Sequence, residues 1–185
     1  ENSRSHMGIF IWIFSLTVMV LLIIIIGGLT RLTDSGLSMT DWRPIMGIIP
    51  PLTNQDWLEV FNAYKLTPEY KIVNSTISIK DFKFIFWWEW LHRFLARFIG
   101  IFFIVPLIYY FLNKKLSKNL ILILIILIIF FLFQGFIGWW MVKSGLVNNP
   151  YVSAYRLVFH LCNALIIFCI LFWLSLSLFF GQKKN

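Results

Sequence analysis

The sequence predicts an all-α integral membrane protein: an antiparallel four-helix transmembrane bundle with a long outer loop between the first and second helices. Three observations predict it. Four apolar stretches each exceed the ~20 residues needed to cross a hydrocarbon core. The 185-residue chain is 59% hydrophobic and only 13% charged, with a mean hydropathy of +0.82, whereas a soluble domain is about half apolar and about a quarter charged. Lys and Arg cluster at places that four crossings put on one side of the membrane.

The first span runs from about Gly8 to Leu29. Its apolar run is long enough to cross, so it reads as a membrane helix and not as a cleaved leader. The second runs from about Phe84 to Leu112, with Pro106 as a candidate kink. The third covers about Leu120 to Met141 and the fourth about Val152 to Phe180. Spans two and four are long enough to tilt or to project beyond the lipid. The link Asn113-Lys114-Lys115-Leu116-Ser117-Lys118, the tail Gln182-Lys183-Lys184-Asn185 and Arg4 are basic, which puts both termini inside.

The outer loop, about Thr30 to Lys83, is punctuated by Gly36, Pro44, Gly47, Pro50 and Pro51. Within it, Asp56-Trp57-Leu58-Glu59-Val60-Phe61 predicts a short amphipathic helix on the membrane surface. The second outer loop, around Lys143 to Tyr151, is short.

The net charge of +8 does not indicate nucleic-acid binding, because the basic residues are scattered at span ends and loops. Cys162 and Cys169 are seven residues apart on one helix, roughly 10 Å, too far for a disulfide. They read as buried hydrophobes. His6 precedes the first span and reads as surface.

The informative residues are two histidines inside apolar spans. His92 sits early in the second span and His160 early in the fourth. Ionisable groups within a membrane span are costly and point to function. Each lies about eight residues from the outer start of its span, roughly 12 Å at 1.5 Å per residue. Two helices entering from one side thus bring both imidazoles to one level, in the outer half of the membrane. Paired imidazoles are an axial ligand set for haem iron; hydrogen-bonded core histidines are the alternative.

Neighbouring residues fit a haem. Glu89 and His92 share a helix face, which continues through Ala96 and Gly100. Such small residues admit either another helix or a flat ligand. Arg93 and Arg97 follow His92, and Arg156 lies one turn before His160. Arginines pair with carboxylates such as haem propionates, or they snorkel to the interface. Gln134 in span three serves either a helix–helix hydrogen bond or a ligand contact. Glu89 supplies either a carboxylate for proton transfer near the porphyrin edge or a structural bridge to Arg93. Residues 1–185 thus read as a single four-helix transmembrane haem-binding domain.

These residues resemble the haem A synthase family along almost the whole chain. The likeness begins with Gly27-Gly28-Leu29-Thr30-Arg31-Leu32-Thr33-Asp34-Ser35-Gly36-Leu37-Ser38-Met39 and continues through Trp42-Arg43-Pro44 and Pro50-Pro51. Phe82-Lys83-Phe84-Ile85, Glu89 and His92-Arg93 look like the family's Glu-x-x-His-Arg region, in its mitochondrial and alphaproteobacterial branch. Gln134-Gly135, Gly138-Trp139, Met141 to Leu146, Val152-Ser153 and Tyr155-Arg156-Leu157 to His160-Leu161 match further blocks. Trp90 stands where family members often have Tyr, and the Cys pair that some members carry in the outer loop is absent.

The resemblance implies an oxidoreductase that converts the C8 methyl of haem O to a formyl group by successive hydroxylations, giving haem A for cytochrome oxidase. It implies His92 and His160 as axial ligands and Glu89 as a carboxylate tied to catalysis. It also implies a multi-pass protein of a bacterial or mitochondrial inner membrane. The family has eight transmembrane helices in two similar halves, and this chain matches the first. A haem b and a second histidine pair are expected in the other half. Expected partners are haem O, membrane lipid, that second half, haem O synthase, an electron donor and a further copy of the chain, with no nucleic acid. The rival readings are a cytochrome b-like carrier using the same histidines and a scaffold without haem.

Overall fold

A computed structural model describes residues 2–40, 47–145 and 150–181. The Trp42-Arg43-Pro44 motif, the Leu146 end of the third block and the basic tail lie outside the described residues. Among the described residues six helices follow in order: α1 Asn2–Leu32, α2 Asn54–Tyr64, α3 Pro68–Ile72, α4 Ile79–Leu112, α5 Lys118–Gly145 and α6 Ala154–Gly181. No strand occurs among the described residues. Within α1, α4, α5 and α6 lie four segments long and apolar enough to cross a membrane. All four predicted spans are present. The protein is a multi-pass, all-α membrane protein.

The helices overrun the apolar stretches because their ends are set by polar residues. α4 begins at Ile79, where Asp81 N donates to Ser78 Oγ at 3.2 Å and Ser78 Oγ donates to Asp81 Oδ2 at 2.6 Å. These contacts satisfy donors that a helix start leaves open. α1 ends where Asp34 turns left-handed (φ 49°), allowing Ser35 N to donate to Thr30 O at 2.9 Å. α4 continues through Pro106 to Leu112.

The chain divides into two compact units, each built from parts of the long helices. The first contains residues 1–24, 96–135 and 161–185. Its core includes Ile13, Leu16, Leu124, Leu127, Ile167 and Leu171, all buried. Trp12 Nε1 donates to Phe102 O at 3.0 Å, and Thr17 and Ser175 share a 3.0 Å hydroxyl contact. These contacts join the start of α1 to the later turns of α4 and α6, so α1 runs antiparallel to both. Asn163 Nδ2 donates to Phe130 O at 3.1 Å, joining α5 to α6.

Cys162 and Cys169 also lie here, and both are exposed. They were expected to be buried. A helix surrounded by lipid is apolar on its outer face too, so hydrophobic character does not separate inside from outside.

The second unit contains residues 25–95 and 136–160. Its core joins Met39, Trp57, Phe61, Tyr64, Phe82, Ile85 and Phe86. The predicted amphipathic helix is α2. Thr53 accepts from Asp56 N at 3.1 Å, and Asp56 Oδ2 accepts from Thr53 N at 2.9 Å, which closes a capping box. Its apolar face rests on the first turns of α4. Trp57 meets Phe86 edge-on at 5.1 Å, and Phe61 meets Phe82 at 4.9 Å. The short α3, started by Thr67 and Pro68, was not foreseen.

Candidate haem site

Both histidines belong to the second unit. His92 is thirteen residues into α4 and His160 is six into α6. Equal depth counted from the helix starts therefore does not hold, because α4 begins early and spends its first turns against α2. The two side chains nevertheless belong to one compact unit.

Each ring lies on a glycine of an adjacent helix. A Cβ added at Gly27 of α1 would stand 3.0 Å from His92 Cε1. One added at Gly138 of α5 would stand 3.2 Å from His160 Cε1. Any larger residue at Gly27 would displace the imidazole, so the missing side chain sets its seat. His92 Nδ1 is buried without a hydrogen-bond partner. A buried, unbonded imidazole nitrogen is costly in a finished core. These glycine seats escape sequence reasoning about the histidines, because they sit on other helices. Their only trace is glycine inside otherwise apolar spans.

Glu89 is buried one turn before His92 and is fully engaged. Its Oε1 accepts from Arg93 Nη2. Its Oε2 accepts from Ser38 Oγ at 2.6 Å and from Met39 N at 2.7 Å. Arg93, also buried, donates to Met39 O at 3.3 Å. The bridge to Arg93 thus forms, and it ties the segment after α1 to α4. Ser38 and Met39 were not among the expected site residues; nothing in their local sequence marks a partner fifty residues away.

The other candidates are placed differently. Arg156 donates to Trp140 O at 2.9 Å, and its guanidinium carbon sits 4.2 Å from the Trp140 ring centroid. It is therefore held against the end of α5. Gln134 and Arg97 belong to the first unit. Gln134 Oε1 accepts from Asn163 Nδ2 at 2.7 Å, which is the helix–helix alternative. Gly100 has open space where a Cβ would stand, and Ala96 is exposed, so among the described residues no helix packs tightly on these two positions.

Among the described residues no three His, Cys, Asp or Glu side chains converge as a metal site. Two imidazoles suit an iron whose remaining ligands come from a macrocycle. The seats of both rings and the unbonded Nδ1 fit that donor set.

Residues 10–185 match the family described as cytochrome oxidase assembly protein, COX15-CtaA. The chain belongs to this family. Curated relatives bear the name "Heme A synthase". One from Flavobacterium psychrophilum is 45% identical over 184 residues, covering 98% of this chain and 54% of the relative. One from Nitrosospira multiformis is 47% identical over 168 residues, covering 91% and 47%. One from Wolbachia pipientis wMel is 49% identical over 160 residues, covering 86% and 46%. The chain spans about half the length of the curated relatives it matches. No solved structure matches it.

Proposed function

We propose that this chain supplies the substrate-haem half of a haem A synthase, in which the C8 methyl of haem O is oxidised to a formyl group by successive hydroxylations. The observation that carries the reading is the glycine-seated histidine pair of α4 and α6 in one unit, with a buried carboxylate one turn away. His92 and His160 hold the haem substrate through their ring nitrogens. When bound, haem supplies a redox-active iron and the methyl group to be changed.

The chain's own residues then orient and polarise. Gly27 and Gly138 let the two imidazoles sit close to their neighbouring helices. Ser38, Met39 and Arg93 hold the Glu89 carboxylate in one position, where it meets positive charge or a proton arising at the substrate edge. Arg93 bonds Glu89 and Met39, and it acts on the haem through the Glu89 carboxylate it holds. Arg156, packed on Trp140, is the arginine assigned to a propionate. Arg97 and Gln134 lie in the first unit, where Gln134 serves Asn163, and neither is assigned to the haem. The second half with its haem b, haem O synthase, an electron donor, a further copy of the chain and membrane lipid are the partners this function requires or admits.

The test is to purify the protein from haem-supplied cells, extract the pigment and separate it chromatographically. Haem O, hydroxylated intermediates or haem A support the synthase. Haem B alone makes the protein a cytochrome b-like carrier. Absence of a Soret band leaves a scaffold.

A further inference from the structure

Near the turn that joins them, α4 and α5 leave an apolar cleft, wholly within the first unit. It encloses about 300 Å³ between Leu107, Ile108 and Phe111 of α4 and Ile121, Ile125 and Ile128 of α5, with the fully buried Leu124 at its floor. Every side chain lining it is Leu, Ile or Phe. Ile108, Phe111 and Ile125 are half-exposed, so the cleft opens outward. Membrane helices pack on one another through small residues or polar side chains. This cleft offers neither, and it suits a flexible hydrocarbon chain. Lysines stand at one end of it. On α5, Lys118 lies three residues before Ile121, on the stripe that continues through Ile125 and Ile128. Lys114 and Lys115 lie three and four residues after Phe111. Their turn is fixed: Lys114 is left-handed (φ 54°), Lys114 N donates to Phe111 O at 3.0 Å, and Lys115 N donates to Tyr110 O at 3.0 Å. All three lysines are exposed. No carboxylate among the described residues pairs with them. All eight Asp and Glu of the chain lie at or before Glu89.

We propose that this cleft binds one anionic phospholipid, with an acyl chain between α4 and α5 and the phosphate headgroup on Lys114, Lys115 and Lys118. From Ile121 to Ile128 the cleft follows α5 for about 10 Å, at 1.5 Å per residue. That direction is the one lipid chains take beside a membrane-spanning helix. An ammonium meets phosphate as a point charge and needs no fixed geometry. Lysines beside a crossing helix attract anionic headgroups, and basic groups between such helices select them. A zwitterionic lipid fills the same cleft but leaves the three cations uncompensated. Neither histidine belongs to this unit, so the site stands apart from the haem reading.

Native mass spectrometry of the purified protein tests it, with dioleoyl phosphatidylglycerol and dioleoyl phosphatidylcholine supplied at equal concentration. The wild type should retain one phosphatidylglycerol at least about tenfold more than phosphatidylcholine. The triple change Lys114→Gln, Lys115→Gln and Lys118→Gln, confined to exposed side chains, should retain the two lipids equally. Ile125→Trp fills the cleft and should lower phosphatidylglycerol retention about tenfold, the loss of roughly two buried methylene groups. Ile129→Trp, exposed on α5 but outside the cleft, should leave retention unchanged. Inorganic phosphate should displace no more lipid than chloride of equal ionic strength. Equal retention of both lipids by the wild type, a preference that survives the triple change, or retention indifferent to Ile125→Trp would overturn the proposal. So would displacement by phosphate beyond the chloride control, which marks a headgroup site alone, or a dimer that excludes lipid, which makes the cleft an interface between copies.

Discussion

Gly27 and Gly138 make the two histidine positions testable one carbon atom at a time. Gly27→Ala forces His92 to give way at 3.0 Å, and Gly138→Ala presses His160 at 3.2 Å. Overpacking of this kind costs about 1–3 kcal/mol. The expected result is roughly tenfold weaker haem retention for Gly27→Ala, a smaller loss for Gly138→Ala, and no loss for Gly28→Ala, which meets nothing within 4 Å. Absorbance of haem per protein after purification measures all three; equal damage from Gly28→Ala would show that the glycine seats are irrelevant. Glu89→Gln keeps the size of the side chain but removes the negative charge that pairs with the buried Arg93. Breaking a buried pair on one side costs about 3–5 kcal/mol. Glu89→Gln should therefore melt lower and stop haem O oxidation in the complete synthase. Adding Arg93→Met should recover the melting temperature but not the oxidation. Recovery of both would reduce Glu89 to a structural bridge. Glu89, His92 and His160 were legible in the sequence because ionisable groups inside apolar spans stand out. Their partners Ser38, Met39, Gly27 and Gly138 were not, because each contact crosses between separate segments and leaves no local pattern.

At the scale of elements, α2 carries the most explicit local signal. Its capping box satisfies open donors at the helix start, so Thr53→Ala should cost about 1 kcal/mol. Faster amide exchange across Asn54–Tyr64 is the readout. Asp56 is held below its ordinary value of 3.8 by backbone N–H groups of Thr53 and Leu52, with the Thr53 side chain adding to them. A carboxyl depressed by folding contributes stability above its unfolded value and loses it as pH falls through the folded one. α2 exchange should therefore accelerate only below that range, and Asp56→Asn should remove the acid dependence. Between α5 and α6, Gln134→Leu deletes the bond to Asn163; interhelical bonds of this type average about 0.6 kcal/mol. It should lower the melting temperature slightly and leave haem content unchanged, whereas loss of haem would restore Gln134 as a ligand contact. The spans were readable from apolar runs alone. Their ends were not, since Ser78, Asp34 and Thr67 terminate helices through hydrogen bonds that hydropathy does not register. The exposure of Cys162 and Cys169 is not legible for a related reason: lipid rewards the same residues as a core does.

For the whole molecule, family membership and the four crossings agree with the sequence, and the synthase chemistry follows as a proposal for a chain covering about half of its relatives' length. A haem gripped by one histidine from α4 and one from α6 is the claim on which that chemistry stands. The most direct measurement is the electron paramagnetic resonance spectrum of purified, haem-loaded protein, compared with His92→Ala and His160→Ala. The account predicts a low-spin, six-coordinate ferric signal in the wild type that turns high-spin in either variant. A low-spin signal that survives unchanged in one of them would contradict it.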